Sequence, residues 1–213
     1  MLSWREVFKK VLRYIFFDNN CSYCHKELDR DGYICYTCLK KLKENSSLKN
    51  KDNFFYVYIY DKAIRQIISD YKLRNRKTMV NDLAYLIEKP LKELIEKENI
   101  DVVIPVPVSK NRELERGFNQ IDYLLSTLQI TYKKIERVKD TKHMYSLDSY
   151  KKREKNIKNA FKIELNLKNK KILIVDDIVT SGATINEISK EIKSNNEGVE
   201  IVIFSIAISK HFI

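Results

Sequence analysis

The chain has 213 residues, of which 44% are apolar and 32% charged, and it contains only four glycines, three prolines and four cysteines. The apolar fraction suffices for a packed core, which excludes intrinsically disordered and collagen-like classes. The most apolar stretch, 201–208, is far shorter than the roughly 20 residues that a membrane-spanning helix needs. Charged residues interrupt the apolar N-terminal segment, so it lacks the continuous core of a signal peptide. These features predict a cytoplasmic protein without stable membrane insertion.

The charge is strongly basic. Forty basic residues outnumber 29 acidic ones, which gives a formal net charge of +11 and makes an anionic partner such as nucleic acid worth considering. Most of the basic residues are lysines in a chain that is also rich in isoleucine and asparagine, a composition typical of AT-rich coding. Charge alone is therefore weak evidence. The arginines are more informative, because a planar guanidinium matches the geometry of phosphate and carboxylate groups.

The N-terminal part is predicted to form a small unit of its own. Residues 4–17 have apolar side chains at helical spacing, which predicts an amphipathic helix docked on the core rather than on a membrane. Cysteines fill 21–38, and the polar stretch 43–53 predicts a linker. We therefore expect two units, 1–45 and 46–213.

The remainder alternates predicted strands and helices. The periodicity predicts strands over 54–60, 101–108, 171–175 and 200–208, and helices over 63–71, 80–97, 120–128, 149–159 and 184–194. Pro90 predicts a break or a second start within the helix 80–97. Alternation of this kind predicts an α/β fold with a parallel sheet flanked by helices.

The cysteines form two identical Cys-x2-Cys pairs, Cys21 with Cys24 and Cys35 with Cys38. Four thiolates from two such turns can enclose Zn²⁺ in a closed tetrahedron that leaves no position for a catalytic water. The spacing therefore predicts a structural zinc site that folds a small N-terminal subdomain. A disulfide pair or four free thiols are the alternatives, and a cytosolic location disfavours disulfides. His25 could replace one ligand, although a surface position is the simpler expectation.

The segment 172–184 is the most specific part of the sequence. An apolar strand delivers two adjacent carboxylates, Asp176 and Asp177, to the carboxyl end of a sheet, where open α/β folds bind ligands. A turn containing Gly182 then leads into a helix, whose free amides and neighbouring hydroxyls suit a phosphate. Carboxylates repel phosphate but accept hydrogen bonds from vicinal sugar hydroxyls, so ribose 5-phosphate satisfies both halves. The alternative is a buried strand followed by an ordinary helix start.

This segment resembles the phosphoribosyl pyrophosphate (PRPP) signature of type I phosphoribosyltransferases, with four apolar residues, two acids and a Thr-x-Gly-x-Thr loop. The resemblance implies the fold of that family and PRPP with Mg²⁺ as the ligand. It also implies that the acids bind the ribose 2- and 3-hydroxyls and that the loop binds the 5-phosphate. The implied PRPP-binding residues are Asp176, Asp177, Ile178, Val179, Thr180, Ser181, Gly182, Ala183 and Thr184.

A second candidate segment begins where another predicted strand ends in Pro105, Val106 and Pro107. The two prolines fix φ and remove two N–H groups, so the loop around Val106 is stiff and could aim donors at a second anion. Arg112 and Arg116 follow and are candidate contacts for a diphosphate or for DNA. The alternative is a solvated pair of helix charges bridged by the neighbouring glutamates.

Taken in order, these features resemble the ComF family of competence-associated phosphoribosyltransferase-like proteins. That family has a four-Cys zinc finger, a Pro-Val-Pro loop, an Arg-Gly-Phe-Asn-Gln motif (here 116–120), an Arg-x-x-Asn-x-x-x-Ala-Phe stretch (here 153–161) and the PRPP loop last. Lys72 stands where the family usually has a lysine and joins the candidates for diphosphate or DNA contact. Two positions depart from the pattern: Asn75 replaces a glycine, and Met144 replaces the glutamine of a Thr-x-x-Gln motif.

The resemblance implies a PRPP-binding protein linked to DNA uptake in natural transformation. As an enzyme it would transfer phosphoribosyl to an acceptor that the sequence does not identify, and no catalytic residue is assigned. The alternative is a non-enzymatic competence factor that binds single-stranded DNA, uses the fold as a PRPP sensor or scaffold, and has competence machinery proteins as partners. The aromatic strand 54–60 could stack on bases, but its alternation favours burial.

Overall fold

A computed structural model describes residues 19–139 and 155–212. The predicted helix over 4–17, the 141–144 stretch, Arg153 and the first part of the predicted helix 149–159 lie outside these residues. The helices are α1 (Tyr36–Glu44), α2 (Lys62–Tyr71), α3 (Val80–Lys97), α4 (Lys110–Arg116), α5 (Gln120–Thr127) and α6 (Ala183–Asn195), with a 3₁₀ helix over Arg74–Met79. The strands are β1 (Lys49–Lys51), β2 (Phe54–Ile59), β3 (Val102–Pro105), β4 (Glu136–Arg137), β5 (Phe161–Lys162), β6 (Lys171–Val179) and β7 (Glu200–Ile208).

Five of the strands form one sheet in the order β1-β2-β7-β6-β3. The pairings from β2 to β3 are all parallel, and only β1, which lies within the predicted linker 43–53, is antiparallel to its neighbour. Strands β4 and β5 pair separately as a short antiparallel ribbon. The predicted parallel sheet flanked by helices is confirmed. Among the described residues, no helix combines the length and the apolar character that crossing a bilayer requires.

The sheet separates two hydrophobic clusters, because successive side chains of a strand point to opposite faces. Leu173 and Val175 of β6 join a cluster that includes side chains of α1, α2, α3 and α5. Ile172 and Ile174 join the other cluster, which includes side chains of α6. Tyr56 and its neighbours in β2 are buried, as their alternation predicts. The carboxyl ends of the parallel strands therefore share one edge between two layers of helices.

The four-Cys segment packs into the first of these clusters through Cys21 and Ile34, both fully buried. Asp82, in the first turn of α3, contacts this segment and is 2% exposed. Its carboxylate accepts hydrogen bonds from the guanidinium of Arg30 (2.7 Å) and from the N–H groups of Tyr33 (2.8 Å) and Ile34 (3.2 Å). A buried carboxylate is tolerated when its oxygens are satisfied in this way. The division between residues 1–45 and 46–213 stays a prediction.

The expected break at Pro90 is wrong, because α3 continues through that residue. Proline removes one hydrogen bond from a helix interior and crowds the preceding turn. Here the flanking side chains Leu86, Ile87 and Leu91 are buried in the core. Tertiary packing supplies most of a helix's stability in a protein, and it outweighs the local penalty.

The predicted end of the strand at residue 175 is also wrong, because β6 runs on to Val179. Its parallel pairing with β7 continues through Asp176, opposite Ser205, to Val179, opposite Ile208. The backbone hydrogen bonds to β7 keep this stretch extended. As a result, the two adjacent acids are strand residues rather than loop residues.

Candidate functional site

A cavity of about 640 Å³ lies at the carboxyl edge of the sheet. It is lined after β2 by Tyr60, Arg65, Ser69 and Lys72, after β3 by Val106, Pro107, Val108, Arg112, Arg116, Gln120 and Arg137, and at the end of β6 by residues 176–185. The structure thus brings every predicted ligand-site residue into one cavity. The four cysteines form a separate site.

The turn after β6 has the geometry predicted for a phosphate loop. Gly182 is left-handed (φ 72°) and caps the N-terminus of α6. The left-handed backbone favours glycine, and a Cβ atom there would lie 2.8 Å from the ring of Phe212, which would have to shift. Thr180, Ser181 and Thr184 line the cavity beside the first turn of α6. Hydroxyls at a helix N-terminus form a favourable environment for a phosphate.

The two acids reach the cavity from opposite faces of the sheet, because both belong to β6. Asp177 continues the face of Leu173 and Val175 and is 5% exposed. Asp176 continues the opposite face, the face of Ile172 and Ile174. Sequence analysis assigned both carboxylates to the ribose hydroxyls, and the structure places them in different surroundings.

Asp177 is held by partners from two helical segments. The ammonium of Lys72, directly after α2, lies 3.0 Å from Oδ1 and 2.9 Å from Oδ2 of Asp177. The side-chain amide of Gln120, at the start of α5, donates to Oδ2 at 2.8 Å. The same amide accepts a hydrogen bond from Arg116 at 2.7 Å through its Oε1 atom. These contacts compensate for burying the Asp177 carboxylate.

Asp176 is less well compensated. It accepts a hydrogen bond from the N–H group of Asp177 at 2.8 Å. Burial, followed by the charge of Asp177, raises the pKa of Asp176 to about 7, although Lys72 and Arg137 act in the opposite direction. The carboxyl group therefore changes its charge near neutral pH, and a bound cation would favour its ionised form.

The loop after β3 contributes a second wall to the cavity. The N–H group of Val106 donates to the carbonyl of Val175 at 2.9 Å, so Val106 lines the cavity without offering that amide to a ligand. Arg112 and Arg116 lie one turn apart on α4, and both face the cavity. Arg116 donates a hydrogen bond to Gln120. This contact differs from the alternative considered from the sequence, in which Arg112 and Arg116 are solvated helix charges bridged by the neighbouring glutamates.

Sequence analysis missed Arg137 and did not assign Gln120 to the site. The guanidinium of Arg137, which is 9% exposed, lies 3.4 Å from the carbonyl of Pro107 and over the ring of Phe161. Arg137 belongs to the two-residue strand β4, whose pairing with β5 places it at the cavity. No local sequence motif marks this position. Gln120, by contrast, closes the 116–120 motif, so its position in that motif was an available signal.

The four cysteine sulfurs lie within 4.8 Å of one another, with 3.8 Å between Cys24 and Cys35. Tetrahedral Zn–S bonds of about 2.3 Å place sulfurs about 3.8 Å apart, so the cluster fits this ion. All four are free thiols, and burial raises the pKa of Cys35 and Cys38. A bound cation would therefore be needed to hold both as thiolates at neutral pH. His25 is exposed and lies outside this cluster.

Comparison with protein families matches residues 77–211 to the phosphoribosyl transferase domain. The chain is also 30% identical over 181 residues to Competence protein F of Haemophilus influenzae, covering 80% of this chain and 76% of that protein. It belongs to the ComF family of phosphoribosyltransferase-like proteins. The chain is also similar to DNA utilization protein YhgH of Escherichia coli K12, at 28% identity over 82% of this chain and 78% of that protein. Competence protein ComFC of Streptococcus pneumoniae is 26% identical over 81% of this chain and 74% of that protein.

We predict that Asp176→Asn makes this ComF-family chain more stable at alkaline pH. The pKa of Asp176 is raised from 3.8 to about 7 in the folded state, so the folded chain retains a proton that the unfolded chain has lost between these values. Ionising this carboxyl group therefore costs stability as the pH rises through that window. Asparagine carries no such charge. Urea unfolding should show a gain over wild type that grows from about pH 4 to about pH 7 and then levels off.

Asp101→Asn provides a control of opposite sign. A hydrogen bond from the N–H group of Lys171 and another from Lys170 lower the pKa of Asp101, so its charge favours folding. This variant should be less stable than wild type above about pH 5. If Asp176→Asn gave no gain in stability over wild type, or a gain that shrinks as the pH rises, the raised pKa assigned to Asp176 would be contradicted.

Proposed function

We propose that the cavity binds PRPP together with Mg²⁺. The observation that carries the proposal is that a phosphate-type turn, two carboxylates and several cations meet in one cavity. The 5-phosphate would lie against the turn 180–184, and Asp176 and Asp177 would accept hydrogen bonds from the ribose hydroxyls. The membership of the phosphoribosyltransferase-domain family supports the same ligand.

The diphosphate would lie against the arginines on the β3 side of the cavity. Arg112, Arg116 and Arg137 line the cavity together with Lys72. Guanidinium groups bind phosphate oxygens through two parallel hydrogen bonds, whereas a lysine acts as a point charge. A wall with this many cations is suited to a multiply charged diphosphate.

The residues present also fit Mg²⁺. This ion is usually held by one or two carboxylates and by the phosphates of its substrate, and it keeps several waters. Asp176 lines the cavity, and the raised pKa of Asp176 shows that its negative charge lacks full compensation there. Asp176 would therefore hold the ion together with the diphosphate. When bound, Mg²⁺ supplies positive charge that stabilises the leaving diphosphate.

The reaction that fits such a site is transfer of phosphoribosyl to a nucleophilic acceptor. The bond between ribose C1 and the diphosphate oxygen breaks, its electron pair leaves with the diphosphate, and the acceptor forms a new bond to C1. Arg112, Arg116 and Arg137 would stabilise the charge that develops on the leaving group, which is an electrostatic contribution. No described residue is assigned as a general base.

The biological setting that we propose is DNA uptake or utilization in the cytoplasm. The names of the relatives, Competence protein F and DNA utilization protein, support this setting. Binding of single-stranded DNA or of competence machinery proteins would agree with the net charge of +11. The strand 54–60, a candidate for base stacking, has Tyr56 and Tyr58 buried in the sheet, so the cavity carries the proposal instead.

Calorimetric titration of Mg-PRPP into the protein tests this proposal. Saturable binding is expected, and Asp177→Asn should weaken it by about tenfold or more, because the change removes a carboxylate and leaves Lys72 without its partner. Glu88→Gln on α3 is the control, since Glu88 forms only an exposed ion pair with Lys92. Equal affinity of Asp177→Asn and wild type, or no binding by wild type, would contradict the proposal.

We further propose Zn²⁺ as the ion held by the four cysteines, in a structural role. Metal analysis should find about one Zn²⁺ per chain, and Cys38→Ser should lose the ion and unfold at a lower temperature. His25→Ala should retain zinc and stability, because His25 lies outside the sulfur cluster. Zinc-free wild-type protein with unchanged thermal stability would contradict this assignment.

A further inference from the structure

We propose that Gln120 is a positioning residue that keeps Arg116 and Asp177 apart and in fixed orientations. The inference rests on the proposed function, since it assigns Arg116 to the diphosphate and Asp177 to the ribose. Gln120 is the first residue of α5 and is 4% exposed. Its side chain lies between the cation and the anion of the cavity, at 2.7 Å from the first and 2.8 Å from the second.

The backbone around Gln120 is fixed from two sides. Its carbonyl accepts a hydrogen bond from the hydroxyl of the fully buried Tyr71 at 2.7 Å. Asn119 caps α5 by accepting hydrogen bonds from the N–H groups of Ile121 (3.0 Å) and Asp122 (3.3 Å). The amide is thus attached to a rigid helix start rather than to a flexible loop.

The chemistry of the two neighbours favours a neutral group that both accepts and donates at this position, and the Gln120 amide is such a group. Arginine has only donors, and an ionised carboxylate has only acceptors, so the bridging group must accept on one side and donate on the other. A neutral amide does both without adding charge. A glutamate would accept from Arg116 but would place a second negative charge against Asp177.

The amide also prevents a competing contact. A guanidinium and a buried carboxylate that face each other attract strongly and tend to form a direct ion pair. In such a pair, Arg116 would be drawn from the cavity wall and Asp177 from Lys72. Gln120 forms one hydrogen bond with each of these groups, so both side chains stay where they would contact the ligand.

The charged and titratable groups that face Gln120 come from three elements. They are Arg116 on α4, Asp177 on β6, and Tyr71 and Lys72 at the end of α2. A glutamate at position 120 would therefore place its carboxyl group at hydrogen-bond distance from the Asp177 carboxylate. When protonated, it can donate to Asp177 and accept from Arg116 as the amide does, and when ionised it cannot.

Gln120→Glu tests the inference through its pH dependence. We expect its Mg-PRPP affinity to be about tenfold or more below that of wild type near pH 8 and to approach wild type near pH 6, because protonation restores the donor. Gln120→Met, which lacks both polar atoms, should show a deficit relative to wild type that hardly changes with pH. Calorimetry at each pH, with circular dichroism to verify folding, makes the measurement.

Gln66→Glu is the matched control, because Gln66 also donates to a carboxylate, that of Asp70 at 2.8 Å, but lies outside the cavity lining. It should bind as wild type at every pH. A Gln120→Glu deficit that stays constant with pH, or affinities of both Gln120 variants within about twofold of wild type, would overturn the inference while leaving PRPP binding intact. Absence of binding by wild type would overturn the proposed function and this inference together.

Discussion

The ion pair between Asp177 and Lys72 is the interaction on which the arrangement of the site depends. Asp177 is a carboxylate that is 5% exposed in a predominantly apolar strand, and such a group is stable only with compensating partners. Lys72 supplies one partner from the end of α2, and Gln120 supplies another from the start of α5. The need to compensate one buried charge thereby brings three elements, distant in sequence, to the same edge of the sheet.

The extension of β6 gives the two acids different properties. Alternation along the strand turns Asp177 toward its cation and amide, while Asp176 faces the other layer and has a pKa raised by burial and by its neighbour. Asp177 is thus paired with a cation and an amide, whereas Asp176 changes charge near neutral pH. This division fits a site in which Asp177 maintains the geometry and Asp176 binds the cation that accompanies the ligand.

The parts of the site that depend on neighbouring residues could be predicted from the sequence. The spacing of the cysteines and the turn at Gly182 are local patterns, and the structure places both as expected. The roles of Asp82 and Arg137 could not be predicted, because Asp82 contacts Tyr33, 49 positions away, Arg137 contacts Pro107, 30 positions away, and no motif marks either residue. The continuation of β6 past residue 175 depends on pairing with β7, a tertiary contact that outweighs the local tendency to turn.

A double-mutant cycle between Lys72 and Asp177 is the most direct test of this account. The free energy of unfolding would be measured by urea denaturation for Lys72→Met, for Asp177→Asn and for the double variant. If the pair holds the site together, the coupling free energy should be about 1 kcal/mol or more, because each single variant leaves a partner uncompensated. Effects that add to within about 0.5 kcal/mol would show that the two residues act independently and would contradict the account.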